Sequence, residues 1–125
     1  MDVRFTAREL DVINVLWKRG PSTVSEVREA LEDDLAYTTV LTVLRVLEDK
    51  GHVTHDTEGR AHRYRPLVER EVAASSALRR VKDNLFAGSS ELLLTRLVED
   101  APLSDEELRR MRDLLVRRLG EGDDT

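Results

Sequence analysis

Apolar residues recur at helical spacing in the opening stretch. Leu10, Ile13, Leu16 and Trp17 fall on one face of a helix over residues 6–19. Thr6-Ala7-Arg8-Glu9 fits a capping box at its start. Lys18 and Arg19 suit the negative end of the helix dipole, and Gly20-Pro21 stops it. Thr23-Val24-Ser25-Glu26 opens a second, short helix whose inner face is Val24, Val27, Ala30 and Leu31. Glu32-Asp33-Asp34 breaks the pattern. A third helix is expected over residues 37–50, with Val40, Val43, Leu44 and Leu47 as its core stripe. Gly51 serves as its left-handed cap. The outer side carries Thr38, Thr39, Thr42, Arg45 and Asp49.

After Gly51 the period falls to two. Val53, His55, His62 and Tyr64 share one face of an expected hairpin, with residues 57–60 as its loop and Pro66 as its end. Three helices and then a hairpin is the order of a winged helix-turn-helix. The rest of the chain is helical: residues 68–86, an interruption at Ala87-Gly88, residues 90–99, and a last helix behind Ser104-Asp105-Glu106-Glu107. Residues 120–125 read as a frayed polar tail. The fold class is therefore mainly α with a small β-hairpin. Residues 1–67 form the expected winged-helix DNA-binding domain, and residues 68–125 an expected helical dimerisation region.

Charge sharpens this division. The 125 residues carry a formal net charge of -5, but it is unevenly spread. Residues 1–35 sum to -3, residues 36–82 to +3 and residues 83–125 to -5. A basic middle between acidic flanks localises contact with a polyanion. It coincides with the third helix and the hairpin. Tyr37, Thr38, Thr39, Thr42 and Arg45 are the expected DNA-reading face, since a helix fits the major groove and short hydroxyls allow close approach. The solvent side of any amphipathic helix offers a similar pattern; the adjoining hairpin favours DNA. Arg60 at its tip and Arg63, on the strand face away from Tyr64, are the expected wing contacts to phosphate.

Leu92, Leu93, Leu97, Leu108, Met111 and Leu115 supply more apolar surface than short helices can bury among themselves. They are the expected dimerisation residues, and the partner is a second copy of the chain. Chemistry of other kinds finds no pattern. Cysteine is absent, which removes disulfides and thiolate sites. His52, His55 and His62 lack a clearly placed carboxylate to complete a metal site, and no nucleophile, phosphate-loop or metalloprotease motif occurs. The reading is a protein without a catalytic site, metal or cofactor. No apolar run approaches the ~20 residues of a membrane span, and Met1-Asp2-Val3-Arg4-Phe5 lacks the apolar core of a secretion signal. The expected location is the cytoplasm.

The chain resembles the BlaI/MecI penicillinase-repressor family of bacterial transcriptional regulators. The resemblance rests on Leu10, Val12, Leu16 and Trp17, and on residues 24–31. Its densest part is residues 35–44 with Leu47-Glu48-Asp49-Lys50-Gly51. Arg63-Tyr64-Arg65-Pro66, Leu85-Phe86-Ala87-Gly88 and residues 108–115 extend it over nearly the whole chain. It implies a homodimer that represses by binding an inverted-repeat DNA operator, in control of a β-lactam-resistance or stress-response gene. It also implies a protease of a sensor pathway as a partner. Resistance members are cleaved in the arm at an Asn-Phe pair, where an ungapped match places Arg96-Leu97. The alternative reading is a winged-helix protein–protein module without DNA binding.

Overall fold

A computed structural model of the chain describes residues 3–123. Thr6 caps the first helix, α1 (Ala7–Arg19), as its spacing requires: Thr6 Oγ1 accepts from the Glu9 N–H at 3.1 Å, and Glu9 Oε1 accepts from the Thr6 N–H at 2.7 Å. Gly20 ends it with φ 90°, and its N–H donates to Leu16 O. The second helix, α2 (Val24–Ala30), starts where Thr23 Oγ1 accepts from the Glu26 N–H. The third, α3 (Tyr37–Asp49), is followed by Gly51 at φ 83°, the left-handed conformation that its place after the helix demands.

The inner face of α1 is rotated from the one that periodicity suggests. Val12, Ile13, Val15 and Leu16 are buried, whereas Leu10 is 42% exposed. Glu9 takes the inner place in the first turn, because its carboxylate is satisfied there. In α2, Val24 and Val27 are buried, Leu31 is half-buried and Ala30 is exposed. Val40, Leu44 and Leu47 form the buried stripe of α3, with Val43 partly covered.

The hairpin is one part of a three-stranded antiparallel sheet. Ser22–Thr23 form β1, Val53–Glu58 form β2 and Ala61–Pro66 form β3, in the order β1-β3-β2. Ser22 pairs with Tyr64 and Thr23 with Arg63. Across the hairpin His55 pairs with Tyr64, Thr57 with His62 and Asp56 with Arg63. Val53, His55, His62 and Tyr64 thus share a face, and Arg63 and Arg65 lie on the other. The strands reach further than expected, so the loop is only Gly59-Arg60, and Gly59 has φ 62°.

Helix α4 (Arg70–Leu85) crosses the boundary between two compact units, residues 1–80 and 81–125. Its start belongs to the first unit. Val68, Ala73 and Ser76 are buried there, the Val3 N–H donates to Ser76 Oγ at 3.0 Å, and Arg80 Nη1 donates to Val3 O at 2.6 Å. Trp17 Nε1 donates to Val68 O at 2.9 Å. The first core therefore gathers side chains from the N-terminal segment, α1–α3, the sheet and early α4.

In the second unit, Ala87 (φ 51°) and Gly88 (φ 74°) end α4, and Ser89 caps α5 (Ser90–Asp100) by accepting from the Leu92 N–H. Ser104 Oγ accepts from the Glu107 N–H at the start of α6 (Asp105–Asp123). This helix continues through Gly120, where a frayed tail was expected, and carries residues 120–123 as helix. Residues 124–125 lie outside the described ones. Among the described residues no helix is long and apolar enough to cross a membrane.

Candidate nucleic-acid interface

Burying Val40, Leu44 and Leu47 turns the opposite side of α3 to solvent, and Tyr37, Thr38, Thr39, Thr42 and Arg45 are all exposed. The Thr42 hydroxyl donates to Thr38 O at 2.8 Å, which fixes its rotamer and leaves its oxygen free to accept. Arg45 makes no hydrogen bond or ion pair among the described residues. A cation with no hydrogen bond or ion pair among the described residues, on a helix face that the core does not need, is available to a ligand.

The wing is joined to α3 by a contact that the sequence did not reveal. Glu48, near the end of α3, receives His55 Nδ1 at 2.7 and 2.9 Å. The His55 ring stacks on His62 with centroids 4.2 Å apart. A carboxylate does stand beside these histidines, contrary to the expectation that none was placed there. The parallel rings cannot both aim a nitrogen at one point between them. Among the described residues no group of three metal-ligating side chains is assembled.

Behind the hairpin, Tyr64 is buried at 1% exposure. Burial pushes its hydroxyl pKa up, as does the nearby Glu48 carboxylate, against the lowering influence of Arg45. Arg45 and Glu48 therefore belong to the same electrostatic neighbourhood as the hairpin's inner face.

The two expected wing arginines differ. Arg60, at the two-residue loop, is exposed and has no hydrogen bond or ion pair among the described residues. Arg63 lies between carboxylates: its Nη1 is 2.7 Å from Glu26 Oε1, its Nε is 2.7 Å from Glu58 Oε2, and Nη1 also reaches Pro21 O at 3.2 Å. The guanidinium pulls the Glu26 carboxyl below its ordinary pKa, with burial opposing it and the Thr23 backbone assisting. Glu26 was legible only as a cap residue; nothing in the local pattern links it to a strand 37 positions away.

In the second unit the expected dimerisation residues leave much apolar surface in water. Leu92 is 51% exposed, Leu97 47% and Leu115 49%, while Leu93, Leu108 and Met111 are half-buried. No residue of α5 is buried. Val81, Phe86, Leu93 and Leu97 line an open cleft of about 420 Å³ with Arg96, Asp100 and Ala101.

A family model described as penicillinase repressor matches residues 5–117. The chain is 37% identical over 121 residues to the transcriptional regulator BlaI of Mycobacterium tuberculosis, covering 91% of this chain and 85% of that one. It is 29% identical over 113 residues to the penicillinase repressor of Bacillus licheniformis, covering 86% and 85%. Among solved structures it is similar to a MarR family protein from Bacillus stearothermophilus, with a TM-score of 0.55, 21% identity and coverage of 98% of this chain and 78% of the other.

Proposed function

The chain belongs to the penicillinase repressor family, whose members are transcriptional regulators and not enzymes, and we propose that it represses transcription as a homodimer on an inverted-repeat DNA operator. The observation that carries this reading is the pairing of a solvent-facing Thr38, Thr39, Thr42 and Arg45 surface with a basic wing tip. The helix presents hydroxyls, methyls and the exposed Arg45 guanidinium to base edges, with Tyr37 at its entrance. Arg60 supplies phosphate contact from the wing. Arg63 belongs to the same wing and acts there beside its carboxylate partners. Residues 1–67 carry the DNA contacts in this proposal, and residues 68–125 the dimer contacts.

The apolar exposure of α5 and α6 supports the dimer. Leu92, Leu93, Leu97, Leu108, Met111 and Leu115 are the side chains proposed to meet a second copy. Two linked modules reach two half-sites, and the second contact is made without a second diffusional encounter. The name of the Bacillus licheniformis relative, a penicillinase repressor, favours a β-lactam-resistance gene as the target over a stress-response gene; a protease of a sensor pathway as the agent of release rests on the family resemblance alone. The proposed compartment is the cytoplasm, where such DNA is found.

Selection of bound duplexes from a random pool tests the reading directly. Expected is a recovered sequence with two-fold symmetry and an affinity that falls steeply with salt. Failure to bind any duplex at low salt would favour a protein–protein module instead.

A further inference from the structure

Arg63 draws together three pieces of chain that are separate in sequence. Pro21 precedes β1, Glu26 stands in the first turn of α2, and Glu58 closes β2 next to the hairpin loop. On β3 the residue opposes Thr23 on one side and Asp56 on the other, so its side chain leaves the middle strand of the sheet. A guanidinium is suited to this place. Its planar fork donates from Nε and Nη1 in different directions at once, which an ammonium does only as a point charge. The Glu26 carboxyl is held below its ordinary pKa by Arg63 itself. Without the arginine, Glu26 and Glu58 would both lose the guanidinium that pairs with them.

We infer that Arg63 is the positioning residue of the wing, fastening the hairpin to α2 and cancelling the charge of Glu26 and Glu58 where phosphates approach, while Arg60 makes the phosphate contact. The inference rests on the DNA-binding reading proposed for this chain. It separates two roles that a basic strand residue presents alike in sequence. A phosphate ligand must have donors to spare. The Nε and Nη1 donors of Arg63 already serve Glu58, Glu26 and Pro21, which leaves only Nη2 and sets two carboxylates against its charge, whereas Arg60 has no hydrogen bond or ion pair among the described residues. Arg63 then governs DNA affinity through the carboxylates that it neutralises and the wing position that it sets.

The test uses the full chain, a mixed-sequence duplex at low salt and the duplex recovered by selection. Four variants are compared with wild type: Arg63→Ala, Arg63→Lys, Glu26→Gln with Glu58→Gln, and the triple variant Glu26→Gln/Glu58→Gln/Arg63→Ala. The triple variant removes all three charges together, so no unpaired carboxylate threatens its fold, which thermal unfolding checks. Arg63→Ala is expected to weaken both duplexes roughly tenfold, as like charges meet across the interface. Arg63→Lys should recover part of that loss. The triple variant should bind within about twofold of the double glutamine variant, with the same dependence on salt. Arg63 is instead a phosphate ligand if the triple variant stays weak and its log K against log salt slope is flatter by ~0.9. Undiminished binding by Arg63→Ala would also overturn the inference. A wild-type chain that binds neither duplex would remove the DNA-binding reading itself, an outcome distinct from both.

Discussion

Lys50 Nζ lies 2.8 Å from both carboxylate oxygens of Glu9, which ties the residue after α3 to the first turn of α1. Glu9 is buried to 4% exposure and also accepts the Thr6 N–H, so one carboxylate caps α1 and holds the end of α3. Burial alone would raise its pKa; the bonds from Lys50 and Thr6 outweigh it and leave the carboxyl below its ordinary value.

This balance makes part of the stability depend on pH. A carboxyl whose folded pKa is depressed stabilises the fold fully above its unfolded pKa, about 4.3 for glutamate. The contribution fades as pH falls through the lower folded value. Glu9→Gln should cost about 1–3 kcal/mol at neutral pH, the scale of a hydrogen bond to a charged group. The difference from wild type should shrink in acid. Urea unfolding at a series of pH values measures it.

Arg45 is expected to read a base. Arg45→Ala should weaken binding to the selected duplex by about 1–3 kcal/mol and relax preference at one base pair in each half-site. Competition between the selected duplex and its single-base variants gives the answer. Unchanged affinity together with unchanged preference would take Arg45 out of the site.

Arg60 is expected to act on the backbone. Arg60→Ala should lower affinity for selected and mixed-sequence duplexes by similar factors and flatten the salt slope by ~0.9 for each phosphate that is no longer neutralised. A loss confined to the selected sequence would mean that the wing tip reads bases.

Leu97 tests the dimer. It is half exposed and lines the open cleft of the second unit with Phe86 and Leu93, so a charge there need not damage the isolated chain. Against a partner it would be desolvated at high cost. Leu97→Asp should sediment as a monomer with unchanged helix content by circular dichroism. Its operator affinity should fall about 10²–10⁴-fold, as linkage of two modules is lost. A wild-type monomer that fills a full inverted repeat would contradict the proposed assembly.

The first compact unit should need the start of α4 to fold. A chain ending at Leu67 would lose Val68, Ala73 and Ser76 from the first core and remove the carbonyl that receives Trp17. A chain ending at Arg80 keeps them, together with the bonds from Ser76 and Arg80 to the N-terminal segment. The longer piece should unfold cooperatively on heating and the shorter one at a lower temperature or without a transition. Equal melting of the two would show that early α4 adds nothing to the fold.

Much of this protein is local and was legible in its residues. Thr6, Thr23 and Ser104 cap helices through bonds three positions long, and Gly51 and Gly88 take up left-handed backbone just after helices. The stripe of Val40, Leu44 and Leu47 follows from helical period alone, and the alternation of residues 53–64 placed His55 with Tyr64 and Arg63 opposite to them. Such features depend on neighbours within one turn or one hairpin, so periodicity and caps suffice to find them. Strand β1 did not show itself: two residues carry no period, and Ser22 and Thr23 become a strand only by pairing with β3. Nor did the inward turn of Glu9 towards Lys50, 41 positions away, or the meeting of Glu48 with His55 and of Glu26 and Glu58 with Arg63. A charged residue shows the same sequence pattern whether it faces water, DNA or an opposite charge. Which of these it meets is decided when packing brings distant segments together and makes an unpaired charge expensive.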